Sequence, residues 1–232
     1  MYEELKQRVY EANVALVKSG LVVLTWGNAS GADRDAGVMA IKPSGVDYDN
    51  LQPADMVVLS IASGEVVDGK LRPSSDTPTH LHLYREFPTI GGVVHTHSTC
   101  GTSFAQAGRD IPCLGTTHAD NFRGAIPVTR PMNAGEIENE YEFNTGRVIV
   151  ECFRTRKIDP MDIPGVLVGS HAPFAWGATI EKAVENALVL EFTAQMALNS
   201  LALNPSVGPI SEALLRKHFD RKHGKGAYYG QK

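Results

Sequence analysis

The sequence predicts one mixed α/β domain over residues 1–232. Short β-branched runs separated by Pro, Gly and Asp fill the first third of the chain, and helical and strand patterns alternate from Asp76 onward. No internal repeat, low-complexity run or linker-like stretch interrupts this pattern. Hydrophobic residues make up 43% of the chain, so it can bury a sizeable core, and a disordered chain is excluded.

The first third is predicted to contain one helix followed by strands and loops. Apolar residues at helical intervals predict an amphipathic helix from Tyr2 to Lys18, which ends at the glycine signal Ser19-Gly20. A strand is predicted for LVVLT at 21–25, followed by a loop at GNASG. Two more short strands are predicted, from Val38 to Ile41 and from Met56 to Leu59.

The remainder is predicted to alternate helices with strands. The predicted elements are a helix over 78–87, a strand over 92–95, a helix over 98–107, a helical region over 133–156 that breaks at Gly146, and a helix over 179–203. Between the last two, the segments 165–168 and 172–175 form either a pair of strands or one bent strand. Alanines on one face of this longest helix favour close helix packing. A basic helix follows the break NPSVGP.

Charge and cysteine content narrow the possible partners. The 22 Lys and Arg residues against 26 Asp and Glu residues give a net charge of -4, so no positive field attracts nucleic acid or anionic lipid. No two of the three cysteines, at 100, 113 and 152, have the close spacing of a zinc ribbon, and their odd number does not suit a set of disulfides. The cysteine content therefore suits a reducing cytoplasm. The sequence shows neither a signal peptide nor a membrane span. A small-molecule metabolite is therefore the expected partner.

The clearest chemical signal is VVHTHS, which contains His95 and His97. Residues i and i+2 of a strand point to the same face, so both imidazoles can converge on one metal ion. His80 and His82 have the same spacing, but they lie in a predicted helix, where two residues separate side chains by about 200°. The sequence therefore predicts metal ligands at the first pair and structural roles at the second.

Spacing alone leaves the remaining metal ligands open. His171 follows an apolar strand and is as well suited to a metal as to a buried structural role. His118 in GTTHAD suits a ligand role or a substrate contact equally, and His218 and His223 lie among Lys and Arg. Two common metal-hydrolase patterns are absent from the sequence. A metallo-β-lactamase-like site would have aspartate at the position of Thr99, and a zincin would have two histidines four residues apart on either side of a glutamate.

Three loops are suited to bind a phosphate. They are GNAS at 27–30, KPSG at 42–45 and RPSSD at 72–76. Small hydroxyl residues beside glycine or proline expose N–H and O–H donors to an anion. A single loop of this kind is usually an ordinary turn, but three of them ahead of the histidine pair form a more specific combination.

These motifs together resemble the class II aldolase family with the adducin-like fold. The resemblance spans almost the whole chain through GNAS, KPSG, RPSSDTPTHLHLYREFP, VVHTHS, GTTHAD, GVLVGSHAPFAWG and RKHGKGAYYGQ. It implies a three-layer α/β/α sandwich around a central, mainly antiparallel sheet. It also implies a cytoplasmic homotetramer with active sites at the subunit interfaces, acting on a small sugar phosphate.

The resemblance also implies roles for individual residues. The implied Zn²⁺ ligands are His95, His97, His171 and Asp76. The implied phosphate-binding residues are Asn28, Ser44, Gly45, Ser74 and Ser75. Asp120 and Tyr229 are the implied acid/base pair, acting on opposite faces of a reacting aldehyde.

Within the family, two features favour a sugar-phosphate epimerase that cleaves and re-forms a carbon–carbon bond. They are Asp76 in SSDTP, where the aldolases usually carry glutamate, and the tail AYYGQ. One alternative is an aldolase that acts on another ketose phosphate, such as L-fuculose 1-phosphate. Another is a non-catalytic scaffold that uses the adducin-like fold for protein contacts, but it has no need for three histidines, Asp76 and phosphate loops together.

Overall fold

A computed structural model describes residues 2–224 and 226–228 of the chain. Within them, seven strands form one sheet in the order β4-β3-β2-β1-β5-β7-β6. Every pair of neighbouring strands in this sheet is antiparallel. The strands are β1 (Gly27–Asp33), β2 (Val38–Ile41), β3 (Val57–Ser60), β4 (Val66–Asp68), β5 (Gly92–Thr96), β6 (Gly165–Leu167) and β7 (Pro173–Gly177).

Helices cover the sheet. They are α1 (Glu3–Lys18), α2 (Thr77–Glu86), α3 (Thr99–Gln106), α4 (Thr116–Ala119), α5 (Ala134–Glu138), α6 (Tyr141–Arg156), α7 (Ile180–Leu203) and α8 (Glu212–His223), with short 3₁₀ turns at Tyr48–Asn50 and Pro53–Asp55. None of the described helices is both long and apolar enough to cross a membrane.

The two faces of the sheet pack into two separate hydrophobic cores. Successive strand residues point to opposite faces, and Met39 and Val93 join one core while Ala40 and Val94 join the other. Helices α2, α3 and α6 cover the first face, and α1 covers the second. The predicted α/β class with a central antiparallel sheet between helical layers is therefore confirmed.

The first predicted strand, LVVLT, is wrong. No strand forms over residues 21–25: residue 21 lies in a bend and residues 24 and 25 in a turn, Leu24 has a left-handed φ of 55°, and Val23 and Leu24 are exposed. The strand begins at Gly27 instead, so GNAS is part of β1 and is not a loop. Gly27 pairs with Thr96 so closely that a Cβ there would lie 2.7 Å from the His95 carbonyl oxygen.

The predicted helix break at Gly146 is also wrong. The chain leaves the helical path at Asn139 and Glu140, between α5 and α6, and Gly146 lies inside α6. A Cβ at Gly146 would lie 3.0 Å from the Cβ of His82 on α2. The glycine therefore permits close packing of two helices, a role that sequence punctuation does not distinguish from a break.

Most of the other predicted elements are confirmed. The segments near 165–168 and 172–175 form an antiparallel hairpin, β6–β7. The alanine face of α7 is buried at Ala183, Ala187, Ala194 and Ala197. The short edge strand β4 was not predicted, because its valines are exposed and its three residues give too little pattern. The three cysteines are free and buried.

Candidate metal and phosphate site

Three histidines converge at one end of the central strands. His95 lies near the end of β5, His97 follows that strand directly, and His171 lies in the turn between β6 and β7. Strand β7 pairs with β5, so the β6–β7 turn comes to the end of β5. One ligand atom from each histidine lies within 4.8 Å of the others. This arrangement agrees with the same-face argument for His95 and His97 and adds His171 to the pair.

The nitrogen geometry fits a tetrahedral metal ion. His95 Nδ1 donates to the Pro173 carbonyl at 3.0 Å, which leaves the Nε2 lone pair free, and that Nε2 lies 3.2 Å from His97 Nε2. Two nitrogens bound to one tetrahedral zinc ion lie about 3.4 Å apart. His171 Nδ1 is buried and has no hydrogen-bond partner among the described residues. The three side chains therefore suit a metal ion.

The protonation states of these histidines also suit metal binding, which requires neutral imidazole. Burial, followed by the neighbouring His95 and His97, lowers the pKa of His171 to about 4. Burial and His95 also lower the pKa of His97. Both rings are therefore neutral at pH 7, and protons do not compete with a metal for their nitrogens.

Asp76 lies beside the histidines, at the N-cap position of α2. Its Oδ2 accepts a hydrogen bond of 2.6 Å from Asn28 Nδ2. Burial acts to raise the pKa of Asp76, but the nearby imidazoles, led by His95, and the Asn28 bond outweigh it, so the pKa is lowered. An ionised carboxylate at this place is suited to be a further metal ligand.

The histidines and the predicted phosphate loops share one cavity of about 380 Å³. Two of these loops are joined by backbone hydrogen bonds, in which Ser44 N donates to Arg72 O at 2.9 Å and Ser74 N donates to Lys42 O at 3.0 Å. The structure brings all the predicted phosphate and metal residues to this cavity: its lining includes Asn28, Ser44, Gly45, Ser74, Ser75, Asp76, His95, His97 and His171. Asn28 reaches it from β1, where it pairs with His95.

Sequence reasoning missed Lys42, which also lines the cavity. Lys42 is only 3% exposed, and its Nζ donates to the carbonyls of Val46 at 2.5 Å and Pro43 at 3.3 Å. The same Nζ lies 4.7 Å from the centre of the Tyr48 ring. A buried cation held by neutral groups beside hydroxyl-rich loops is suited to a phosphate. The sequence signal that could have identified Lys42 is its position directly after the predicted strand 38–41 and directly before PSG.

Asp120 is not among the residues that line this cavity. It lies at the end of α4, where Arg221 donates two hydrogen bonds to its carboxylate, at 2.9 and 2.6 Å. His218 Nδ1 lies 3.0 Å from the same carboxylate. Burial acts to raise the pKa of Asp120, but the bonds from Arg221 and His218 dominate and lower it. Tyr229 lies outside the described residues.

The remaining histidines make structural contacts. His80 is fully buried and contacts Ser30 Oγ at 2.7 Å through Nδ1. His82 packs edge-on against Phe143 on α6. His118 donates from Nε2 to the Gly124 carbonyl at 2.7 Å, and His223 Nε2 contacts the Asp120 carbonyl at 2.9 Å. These contacts agree with the structural interpretation of His80 and His82, and they keep His118 out of the three-histidine group.

Residues 7–198 match the family described as Class II Aldolase and Adducin N-terminal domain, and the chain belongs to this family. Among curated proteins, the chain is 53% identical over 230 residues to L-ribulose-5-phosphate 4-epimerase UlaF of Salmonella paratyphi B (strain ATCC BAA-1250 / SPB7). That alignment covers 99% of this chain and 100% of the relative. The protein of the same name from Salmonella paratyphi A (strain ATCC 9150 / SARB42) is also 53% identical, with the same coverage.

Solved structures share the fold. An L-fuculose 1-phosphate aldolase matches with a TM-score of 0.78 at 23% identity, covering 94% of this chain and 95% of its own. L-fuculose 1-phosphate aldolase from Glaciozyma antarctica PI12 matches with a TM-score of 0.76 at 18% identity, covering 97% and 84%. The class II aldolase fold expected from the sequence motifs is therefore confirmed.

Proposed function

We propose that this chain is a zinc-dependent epimerase that interconverts L-ribulose 5-phosphate and D-xylulose 5-phosphate. The observation that carries the proposal is that one cavity is lined both by the three histidines and by the phosphate-suited loops with Lys42. Full-length identity of 53% to proteins named L-ribulose-5-phosphate 4-epimerase supports the choice of substrate.

The chemistry of the substrate favours carbon–carbon cleavage. The proton on C4 is not adjacent to the C2 carbonyl, so it is not acidic, and simple deprotonation cannot easily invert that carbon. Removal of the C4 hydroxyl proton instead allows the C3–C4 bond to break. The bonding electrons pass to C3, which gives the enediolate of dihydroxyacetone and free glycolaldehyde phosphate. Rotation of the aldehyde and re-addition on its other face give the C4 epimer.

Two groups of cavity residues have different roles in this reaction: one binds the metal and the other binds the phosphate. His95, His97 and His171 would hold the metal, and Asp76, which lines the same cavity, would be a further ligand. When bound, zinc supplies a Lewis acid at the carbonyl end of the substrate. Donors on the two loops, which include Ser44 and Ser74, hold the phosphate, so the aldehyde fragment rotates without escaping.

Inversion requires one acid/base group on each face of the aldehyde, and we assign these roles to Asp120 and Tyr229. Asp120 does not line the cavity of its own chain. In the homotetramer that we propose, Asp120 and Tyr229 of one subunit complete the cavity of its neighbour. One group takes the C4 hydroxyl proton before cleavage, and the other returns a proton to the oxygen after re-addition.

The proposed function is tested by incubating the zinc-loaded protein with L-ribulose 5-phosphate. We expect D-xylulose 5-phosphate as the product, identified by chromatography against standards. An aldolase would release its aldehyde, so accumulation of glycolaldehyde phosphate and dihydroxyacetone would replace the proposal with the aldolase alternative. Recovery of unchanged substrate would contradict both.

The isotope content of the product tests the mechanism separately. In deuterium oxide, epimerisation by C3–C4 cleavage is expected to leave C4 without deuterium, because the C4–H bond never breaks. Mass spectrometry and proton NMR of the product measure this directly. Deuterium at C4 would show deprotonation instead. A requirement for added nicotinamide would indicate oxidation and reduction at C4, and the sequence contains no GxGxxG dinucleotide motif.

A further inference from the structure

The first turn of α3 follows His97 closely, and its own N-cap residue does not cap it. Ser98 occupies the N-cap position but makes no side-chain capping bond. Its hydroxyl is buried without a hydrogen-bond partner among the described residues. A serine at this position ordinarily accepts a hydrogen bond from the second or third N–H group of the helix. In α3, these two N–H groups have a different acceptor.

That acceptor is the carboxylate of Glu191 on α7. Glu191 Oε1 accepts from Cys100 N, and Oε2 accepts from Gly101 N, each at 2.8 Å. A negative charge at a helix N-terminus is favoured by the helix dipole, and hydrogen bonds to a charged acceptor are stronger than neutral ones. Glu191 therefore fixes the first turn of α3 against α7 through two bonds.

The same turn is packed without free space. A Cβ at Gly101 would lie 3.1 Å from both Leu190 Cδ2 and Pro173 Cγ. Pro173 is also the residue whose carbonyl accepts the hydrogen bond from His95 Nδ1. A shift of the first turn of α3 would therefore reach the strand segment that orients His95.

Helix α3 also holds the other two histidines. His97 lies between the end of β5 and the N-cap of α3, so the direction of its backbone depends on both elements. The turn that carries His171 is tied to α3 by a bond of 3.0 Å from Ser170 N to the Ala105 carbonyl. The position of α3 therefore affects the geometry of all three histidines.

We propose that Glu191 is a positioning residue for the metal site: its carboxylate replaces the Ser98 cap and holds α3 where the three histidines converge. The inference rests on the metal site of the proposed function. Outer partners that orient metal ligands typically contribute about 10- to 100-fold to metal affinity. We therefore expect Glu191→Ala to weaken zinc binding to a similar degree, although Glu191 contacts none of the three rings.

The test measures the zinc dissociation constant by competition with a chromophoric chelator, on protein whose folding is checked by circular dichroism. Glu191→Gln retains acceptor capacity without the charge and is expected to weaken zinc binding less than Glu191→Ala. Glu185→Ala is the matched control on α7, because Glu185 is exposed and pairs with Lys182 at 2.7 Å. It is expected to leave zinc affinity unchanged.

A double-mutant cycle of Ser98→Ala and Glu191→Ala tests whether Glu191 replaces Ser98 as the cap of α3. Ser98→Ala alone is expected to leave zinc affinity unchanged, because the Ser98 hydroxyl has no partner. Without Glu191, this hydroxyl can turn to the N–H groups of the first turn. Ser98→Ala is therefore expected to weaken zinc binding further in the Glu191→Ala background. This non-additive result is specific to a change of cap.

Several outcomes would overturn the inference. If Glu191→Ala lowered the thermal unfolding temperature of the metal-free protein yet bound zinc within about twofold of wild type, Glu191 would be a purely structural residue, because an orienting partner has a far larger effect. If the effects of Ser98→Ala and Glu191→Ala on zinc affinity were additive, the claim that Glu191 replaces Ser98 as the helix cap would be wrong. Zinc binding is measured without substrate. A protein that binds zinc but does not epimerise L-ribulose 5-phosphate would therefore contradict only the proposed function. A wild-type protein that binds no zinc would contradict both the proposed function and the role of Glu191.

Discussion

Replacing His97 with alanine is expected to remove most of the bound zinc and nearly all epimerase turnover. His97 Nε2 lies 3.2 Å from His95 Nε2, so the variant loses one of two adjacent ligand atoms. Two remaining histidines and a carboxylate bind zinc weakly at neutral pH. We expect the loss of affinity to exceed the ~10- to 100-fold effect of removing an outer partner. Metal content after dialysis, measured by plasma mass spectrometry, is the direct readout, and His95→Ala is expected to behave in the same way.

His82→Ala is the control for this prediction. His82 packs on Phe143 between α2 and α6 and does not line the cavity. The variant is expected to retain its zinc. The sequence-based prediction that His80→Ala spares the metal still stands, but this variant is a poorer control because His80 is fully buried and contacts Ser30. Full zinc occupancy in His97→Ala would contradict the assignment of this residue as a ligand.

Asp120→Asn and Tyr229→Phe are each expected to lower turnover by about 10² to 10⁴, the usual contribution of one positioned acid/base group. Tyr229→Phe removes only the hydroxyl group, whereas Asp120→Asn keeps the size of the side chain and removes both its acid/base function and the charge that pairs with Arg221. Zinc content should therefore be unchanged, because neither residue is assigned as a ligand. Turnover is measured with L-ribulose 5-phosphate at saturating concentration. Near-normal turnover in either variant would withdraw the role assigned to that residue.

Subunit mixing tests whether Asp120 serves the cavity of a neighbouring chain. His97→Ala lacks a metal ligand and Asp120→Asn lacks an acid/base group, so neither variant alone has a complete site. If one site draws residues from two subunits, hybrid tetramers formed by unfolding and refolding the two variants together will contain some complete sites. Activity should therefore return in the mixture. No recovery in verified hybrids would mean that Asp120 acts within its own chain or not at all.

The sequence predicts the metal end of the site well, because the relevant geometry is local. Alternation along a strand is enough to place His95 and His97 on one face. His171 is different, because its approach depends on the pairing of β7 with β5, which spacing does not reveal. The resemblance to the class II aldolase family supplied this residue before the structure was known.

The errors of sequence interpretation have physical causes that lie beyond local pattern. LVVLT has the composition of a strand, but its residues connect α1 to β1 through a bend and a turn in which Leu24 is left-handed. Gly146 resembles a helix break, but it serves helix packing on His82. Lys42 was missed because sequence alone does not show that a lysine is buried among carbonyls. The Gly146 error concerns a contact between segments that are distant in the chain, and the Lys42 error concerns burial, which no local pattern reveals.

The sheet order also sets when the protein can acquire its metal during folding. Strand β5 lies between β1 and β7, which come from opposite halves of the chain. Pairings of such long sequence separation form late and slowly, because loop closure must precede them. His95 and His97 are close in sequence, but His171 reaches them only when β7 has paired with β5. The nascent chain therefore offers at most a two-nitrogen chelate, and tight metal capture follows assembly of the sheet.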